Sequence, residues 1–225
     1  MASIYERALG SDFGKLHPRI RERFGFSSED KVASVGVGVM DRIWTSKWAA
    51  VPLHIGTYRH ILFPEGGVRI PFSIGNYAYK DSFGRETVTW CREFRFPNTV
   101  RRFDATMIYS DERRTIVDYL GTKQHLAVDL SVGVAENGGI RIRSGEQRFY
   151  EGLIGFRFPA LFTGIADVCE WYDDRQQTYR ISVRVTNRLI GTVFRYYGRF
   201  QASVRPLDPA LIPPDARPLR EERRA

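Results

Sequence analysis

Apolar and polar residues alternate along most of this chain, most cleanly at Leu126, Val128, Leu130, Val132 and Val134 and most informatively in Val88-Thr89-Trp90-Cys91-Arg92-Glu93-Phe94-Arg95-Phe96. Side chains two apart share one face of a strand. One face here carries Val88, Trp90, Arg92, Phe94 and Phe96, so a single guanidinium sits in a row of rings. A packed core rarely accepts a lone charge. A pocket for an apolar ligand with a polar head accepts one readily.

The same period of two predicts strands elsewhere. Lys31 to Met40 reads as the first, with Val35, Val37 and Val39 alternating with Gly36 and Gly38. The bare glycine face there permits close approach of another element or a ligand. Six more strands are expected: Val68 to Lys80, Arg85 to Pro97, Arg101 to Tyr109, Arg114 to Leu120, His125 to Ala135 and Ile140 to Phe149. Turn residues divide them, among them Asp81-Ser82-Phe83-Gly84, Pro97-Asn98 and Asn137-Gly138-Gly139. A Gly/Pro-rich crossing from Gly152 to Gly164 leads to the last three strands, Ile165 to Tyr172, Thr178 to Thr186 and Thr192 to Val204.

Three stretches break this rhythm. At the N-terminus, Ser3 followed by Glu6 reads as a capping box before Ile4, Ala8 and Leu9, and Pro18 suits the first turn of a second helix through Ile20 and Phe24. Arg42 to Phe63 has helical spacing, with Trp44 and Trp48 four apart and Ile55, Tyr58 and Leu62 following Pro52. Two short amphipathic helices joined at Val51-Pro52 are expected there, forming a lid over about residues 42–63 with Trp44, Trp48 and Tyr58 on it. Residues 206–225, with Pro209, Pro213, Pro214 and Pro218 and the ending Arg-Glu-Glu-Arg-Arg, read as a flexible tail.

Short links between sequential strands imply an antiparallel meander. About ten strands must hide their edges, and curling into a barrel or half-barrel does that. The expected fold is therefore mainly β (α+β): a curved antiparallel sheet or half-open barrel over residues 1–205, with N-terminal helices and an inserted helical lid. Barrels of this size can keep an interior that side chains do not fill.

Composition changes this picture little. The chain has 225 residues and a net charge of +8, with arginines spread over most predicted strands and no zinc-finger spacing or RNA-recognition aromatic box. Nucleic acid is not the expected partner; a basic surface also suits an acidic ligand or anionic lipid. Met1 to Gly10 lacks the apolar core of a signal peptide, and no apolar run approaches the ~20 residues of a membrane span. With two cysteines, Cys91 and Cys169, outside any CxxC pair, a cytoplasmic protein with reduced thiols is expected.

Several motifs, taken in order, resemble a known family. The opening Ile4-Tyr5-Glu6-Arg7-Ala8-Leu9-Gly10 with Phe13, Leu16, His17-Pro18 and Ile20 resembles the start of the bacterial domain-of-unknown-function family DUF4166. Glu86 to Phe94 is similar to that family's Glu-Trp-Arg-Phe strand, and Leu189-Ile190-Gly191 with Arg195-Tyr196-Tyr197-Gly198 to its closing strand. The resemblance spans about residues 3–204. It implies a stand-alone protein or a domain attached to saccharopine-dehydrogenase-like or membrane proteins, and it implies no established activity.

Among candidate chemical groups, Arg92 ranks first, as a bidentate anchor for a carboxylate, phosphate or enolate head. A structural ion pair is its alternative role. Glu86 lies six residues away on the same strand, roughly 20 Å, and cannot reach it, whereas Asp104, Asp118 or Glu170 can. Trp90, Phe94 and Tyr196 are the expected pocket walls, with Glu86 beside them, although alternating aromatics suit a plain core equally. Glu170 is the catalytic candidate, a general base if burial raises its pKa. His17, His54, His60 and His125 form no HxxxH or HExxH, and no GxGxxG or P-loop exists, so neither metal nor cofactor is expected. Three functions remain open. The first is binding of a hydrophobic, anionic-headed small molecule, lipid-like or polyketide-like. The second is a cofactor-free isomerase or cyclase in the same cavity. The third is a structural domain docking on a membrane or acidic partner.

Overall fold

The computed structural model describes residues 1–159, 163–208 and 211–225. Among the described residues, eleven strands form one antiparallel sheet. They are β1 (Val32–Thr45), β2 (Gly67–Lys80), β3 (Glu86–Phe96), β4 (Thr99–Ser110), β5 (Thr115–Leu120), β6 (Leu126–Val134), β7 (Ile140–Glu151), β8 (Ile154–Arg157), β9 (Ile165–Asp173), β10 (Thr178–Asn187) and β11 (Gly191–Pro206). The order β6-β5-β4-β3-β2-β1-β11-β10-β9-β7 becomes a ring because β7 pairs with both β6 and β9. Ten strands thus form a closed antiparallel barrel, which leaves no edge in the ring exposed. The added strand is β8, a short hairpin partner of β7 inside the segment read as a crossing. Ala160, Leu161 and Phe162 of that crossing lie outside the described residues.

Two helical pieces close the ends. Helix α1 (Ile4–Leu9) is capped by Ser3, whose hydroxyl accepts from the Glu6 amide at 3.1 Å, and α2 (Pro18–Phe24) starts on Pro18. Their residues Ile4, Tyr5, Ile20 and Phe24 are buried and plug the end where β1 begins. The lid spans β1 to β2, which pair with each other. A chain that leaves one strand and re-enters its antiparallel neighbour must return to the same end, so this insertion lies over the opposite mouth. It contains a single turn of tighter helix, Lys47–Ala49, followed by α3 (Ala50–Thr57).

The lid departs from the expected pair of helices. Arg42, Ile43, Trp44 and Thr45 remain in β1, because the ladder to β11 shifts by one residue between Met40 and Arg42. That bulge at Asp41 reverses the phase of the strand. Before it, Ser34, Gly36, Gly38 and Met40 face inward; after it, Ile43 does, and Trp44 points outward beneath Arg195. The same phase turns the Val35, Val37 and Val39 row outward. The glycines face Phe200, so their open space is filled by a ring and not by a ligand.

The proline-rich end is the other departure. Instead of a solvated extension, residues 211–225 lie against the outside of β3 to β5. Ile212 and Ala216 are buried with Tyr79, the Tyr119 hydroxyl donates to the Arg224 carbonyl at 2.6 Å, and the Leu219 amide donates to Thr122 at 2.7 Å. This contact covers the outward Thr87, Thr89, Val117 and Tyr119, which explains why both faces of β3 and β5 are buried. Pro209 lies outside the described residues.

Candidate functional site

The barrel is not filled. A cavity of about 800 Å³ runs from the lid down to Trp90, Arg92 and Asp118. Its walls are chiefly aliphatic and aromatic, with Phe103, Leu130, Ile142 and Val168 among them, and α3 contributes Pro52, Leu53, Ile55 and Gly56 at the top. This volume lies within the range of small-molecule sites, about 300–1,000 Å³. The far end of the lid is tied down. The Thr122 amide donates to the Arg59 carbonyl at 3.0 Å and the Asp104 amide to the His60 carbonyl at 2.9 Å. Gly121 makes this seat possible: its φ is +79°, and a Cβ there would meet the Arg59 oxygen at 2.2 Å.

The row on β3 projects inward as its alternation implies, with Val88, Trp90, Arg92 and Phe94 all buried. Arg92 is 3% exposed. Its Nε donates to the Phe103 carbonyl at 2.9 Å, Nη1 approaches the Tyr196 hydroxyl at 3.5 Å, and the guanidinium lies 3.7 Å over the Phe103 ring. Among the described residues it forms no ion pair within 4 Å, so a structural pairing does not account for it. A buried cation held by one carbonyl and ring faces keeps donor capacity for a further acceptor.

Asp118 faces the same cavity from β5, where Ile116, Asp118 and Leu120 point inward. It is 7% exposed, and its Oδ1 is buried without a hydrogen-bond partner among the described residues. Burial pushes its pKa up to about 7, with the Arg92 charge pulling the other way. An unpartnered carboxyl in an apolar wall costs free energy, so its retention marks a place where something polar can be received. Asp118 is the site residue that reading strand by strand treated only as a partner for Arg92. The signal was its place between Ile116 and Leu120, the counterpart of Arg92 between Trp90 and Phe94.

The other expected site residues are distributed differently. Trp90 lines the cavity floor, packed on Phe24 and Tyr5 with ring centroids 5.8 and 6.4 Å away. Phe94 and Tyr196 are buried behind Arg92, 5.2 Å from each other, and support it without lining the cavity. Burial raises the Tyr196 pKa, which keeps the phenol a neutral neighbour for the guanidinium. Glu86 is removed from the cavity altogether. It accepts from the Ser28 amide and hydroxyl at 2.5 and 2.7 Å and pairs with Lys80 at 2.9 Å, fastening the N-terminal segment to β3. Trp48 and Tyr58 lie on the lid but point to solvent, and Trp44 belongs to the barrel wall.

Glu170 is fully buried and held by Arg23 of α2 at 2.5 Å, while Arg23 also donates to the Ser34 hydroxyl. Burial raises its pKa against the pull of Arg23. The pair locks the helical plug to β9 and does not border the cavity. Cys91 faces outward under the C-terminal segment, and burial pushes its thiol up to about 12, away from the thiolate form. Among the described residues no three His, Cys, Asp or Glu side chains are grouped as metal ligands, and no helix is long and apolar enough to cross a membrane.

Comparison with known proteins agrees with the barrel's extent. The sequence profile described as "Domain of unknown function (DUF4166)" matches residues 16–200. The uncharacterized protein YndH of Bacillus subtilis (strain 168) is 31% identical over 208 residues, covering 91% of this chain and 99% of that relative. No solved structure matches the chain.

Proposed function

We propose a function for this chain, which belongs to the DUF4166 family, from its cavity: it binds a hydrophobic small molecule with an anionic, acceptor-bearing head. The observation that carries this reading is the pairing of an apolar interior of about 800 Å³ with the buried Arg92 guanidinium on its wall, which forms no ion pair among the described residues. The aliphatic walls would receive a lipid-like or polyketide-like body. Arg92 would donate to the head in a bidentate contact. Asp118, protonated in part near neutrality, would donate to the same head or take a hydroxyl from the ligand. The lid supplies the entrance. A cytoplasmic setting suits this role, and Cys91 and Cys169 are both free thiols.

The test is native mass spectrometry of gently isolated protein, followed by organic extraction of whatever is bound. The intact protein is expected to carry a small molecule that Arg92→Ala loses. An empty cavity under every isolation condition, with no uptake of a fluorescent fatty-acid analogue, would defeat the proposal.

A second reading has its own observation. A buried carboxyl with a pKa of about 7 that faces the same cavity as a fixed cation is suited to proton transfer with oxyanion stabilisation. In that reading Asp118, and not Glu170, is the base of a cofactor-free isomerase or cyclase. Turnover of a bound ligand that Asp118→Asn abolishes, with binding retained, separates the two.

A further inference from the structure

Large apolar side chains are exposed at the mouth of the barrel on three separate segments. Trp48, Ile55 and Tyr58 project from the lid, with Trp48 87% and Tyr58 84% exposed. Leu189 stands on the turn between β10 and β11 and borders the cavity opening. Leu153 and Phe156 stand on the β7–β8 hairpin. That hairpin belongs to the same end, because Phe149 pairs with Leu126 where β6 begins, and Leu126 pairs with Leu120 below the lid. At the opposite end Ile4 and Tyr5 of α1 and Ile20 and Phe24 of α2 are buried, and Leu9 is half-buried. A rim of this kind around an opening is what interfaces and membrane contacts expose, and isolated surface leucines do not produce it.

Charge on the adjoining wall has the matching sign. No Asp or Glu occurs between Asp41 and Glu65 or between Asp174 and Asp208. On the outer face of β10 and β11, Arg184 lies directly opposite Arg195, and Arg180 opposite Arg199. Like charges facing each other across strands repel. Asp173 pairs with Arg180, and Asp167 on β9, which lies opposite Arg184, is held by Arg141, so the uncompensated part of the wall is Arg42, Arg195 and Arg199. Arg42, Arg184, Arg195 and Arg199 form no ion pair among the described residues, and Tyr197 lies opposite Arg42 in their midst. Repulsion of this kind is relieved when anions are brought against the wall.

We infer that the mouth end of the barrel docks on an anionic lipid surface, its apolar rim entering the interface and its β1–β11–β10 wall turned to the headgroups. An interfacial contact needs apolar insertion and basic charge together, and both meet here at one end of the molecule. The orientation would place the lid and the cavity opening against the acyl boundary, the direct route for a lipid-like ligand. The inference rests on the proposed ligand class only for that purpose. Vesicle binding and ligand retention are separate measurements, so either can fail without the other.

The experiment is co-sedimentation with phosphatidylcholine vesicles, with and without phosphatidylglycerol, at low and high salt. The wild-type protein should pellet with the anionic vesicles and be released by salt. Each basic group near an anionic leaflet contributes about fivefold in affinity, so Arg195→Gln with Arg199→Gln should weaken binding at least tenfold. Trp48→Ser with Tyr58→Ser should do the same. All four side chains lie on the outside, and unchanged thermal melting would confirm intact barrels. Brominated lipid should quench tryptophan emission in the wild type and much less in Trp48→Phe. Absence of vesicle binding, equal binding by both double variants, or binding to an RNA oligonucleotide without any to vesicles would overturn the inference.

Discussion

Arg92 on β3 and Asp118 on β5 face one cavity from strands separated only by β4, and neither has an ion-pair partner among the described residues. Two opposite charges in a low-dielectric interior would ordinarily meet. Here they flank Phe103 and Met107 of the intervening strand instead, with Arg92 opposite the first and Asp118 opposite the second. Their separation leaves each with unused hydrogen-bonding capacity, which is the chemical content of the site.

Asp118 makes stability depend on pH. Its folded pKa of about 7 exceeds the ordinary aspartate value of 3.8, so the folded state binds the proton more tightly than the unfolded one. The contribution is therefore fully present below about pH 4 and is lost as pH rises through 7. Relative to Asp118→Asn, the wild-type protein should lose about 2 kcal/mol between pH 5 and 7 and little more above pH 8. Urea denaturation of both proteins across this range measures it; parallel profiles would show that Asp118 does not titrate there.

Filling the cavity should separate folding from binding. Val168 is half-buried and lines the cavity from β9. Val168→Phe adds a ring to empty space, so its cost should stay below about 1 kcal/mol or become a small gain. Ligand retention in native mass spectrometry should fall sharply. Retention at the wild-type level would place the bound molecule elsewhere.

Glu170 should behave as a structural residue. Glu170→Gln leaves Arg23 as an uncompensated buried charge, with an expected loss of about 3–5 kcal/mol. Denaturant unfolding measures the loss, and the surviving folded fraction should keep its ligand and its Arg92 dependence. A variant of normal stability that has lost ligand or turnover would return Glu170 to the list of catalytic candidates.

Gly38 and Val37 should respond in opposite ways although they are adjacent. A Cβ at Gly38 would meet the Arg199 carbonyl oxygen at 2.1 Å and the Phe200 Cα at 2.4 Å, both backbone atoms that cannot swing aside. Gly38→Val should cost at least about 2–3 kcal/mol. Val37 points to solvent, and Val37→Thr should change stability by less than about 0.5 kcal/mol. Thermal melting distinguishes them; similar losses at both positions would contradict the inward placement of the glycines.

How much of this was legible in the chain differs from element to element. The inward row Val88, Trp90, Arg92 and Phe94 was readable because a strand's period of two is set by local geometry and needs no partner. The capping of α1 by Ser3 was readable for the same reason. Trp44 belongs to β1 only through its pairing with Arg195 on β11, and the phase shift at Asp41 is likewise defined by that facing strand, so neither is legible locally. The strand β8 was hidden because its four exposed residues become a strand only through pairing with β7.

By itself the sequence determined the alternation, the ten ring strands, the helical pieces and an arginine among rings, all consequences of short-range geometry and solvation. Tertiary structure alone decided that β7 joins β6 to β9, that an interior remains unfilled, and that Asp118 shares it with Arg92. It also decided that the proline-rich end covers β3 to β5, because the surface it covers does not exist until those strands are paired. Closure and packing depend on volumes summed over residues far apart in the chain, and no local pattern encodes that sum.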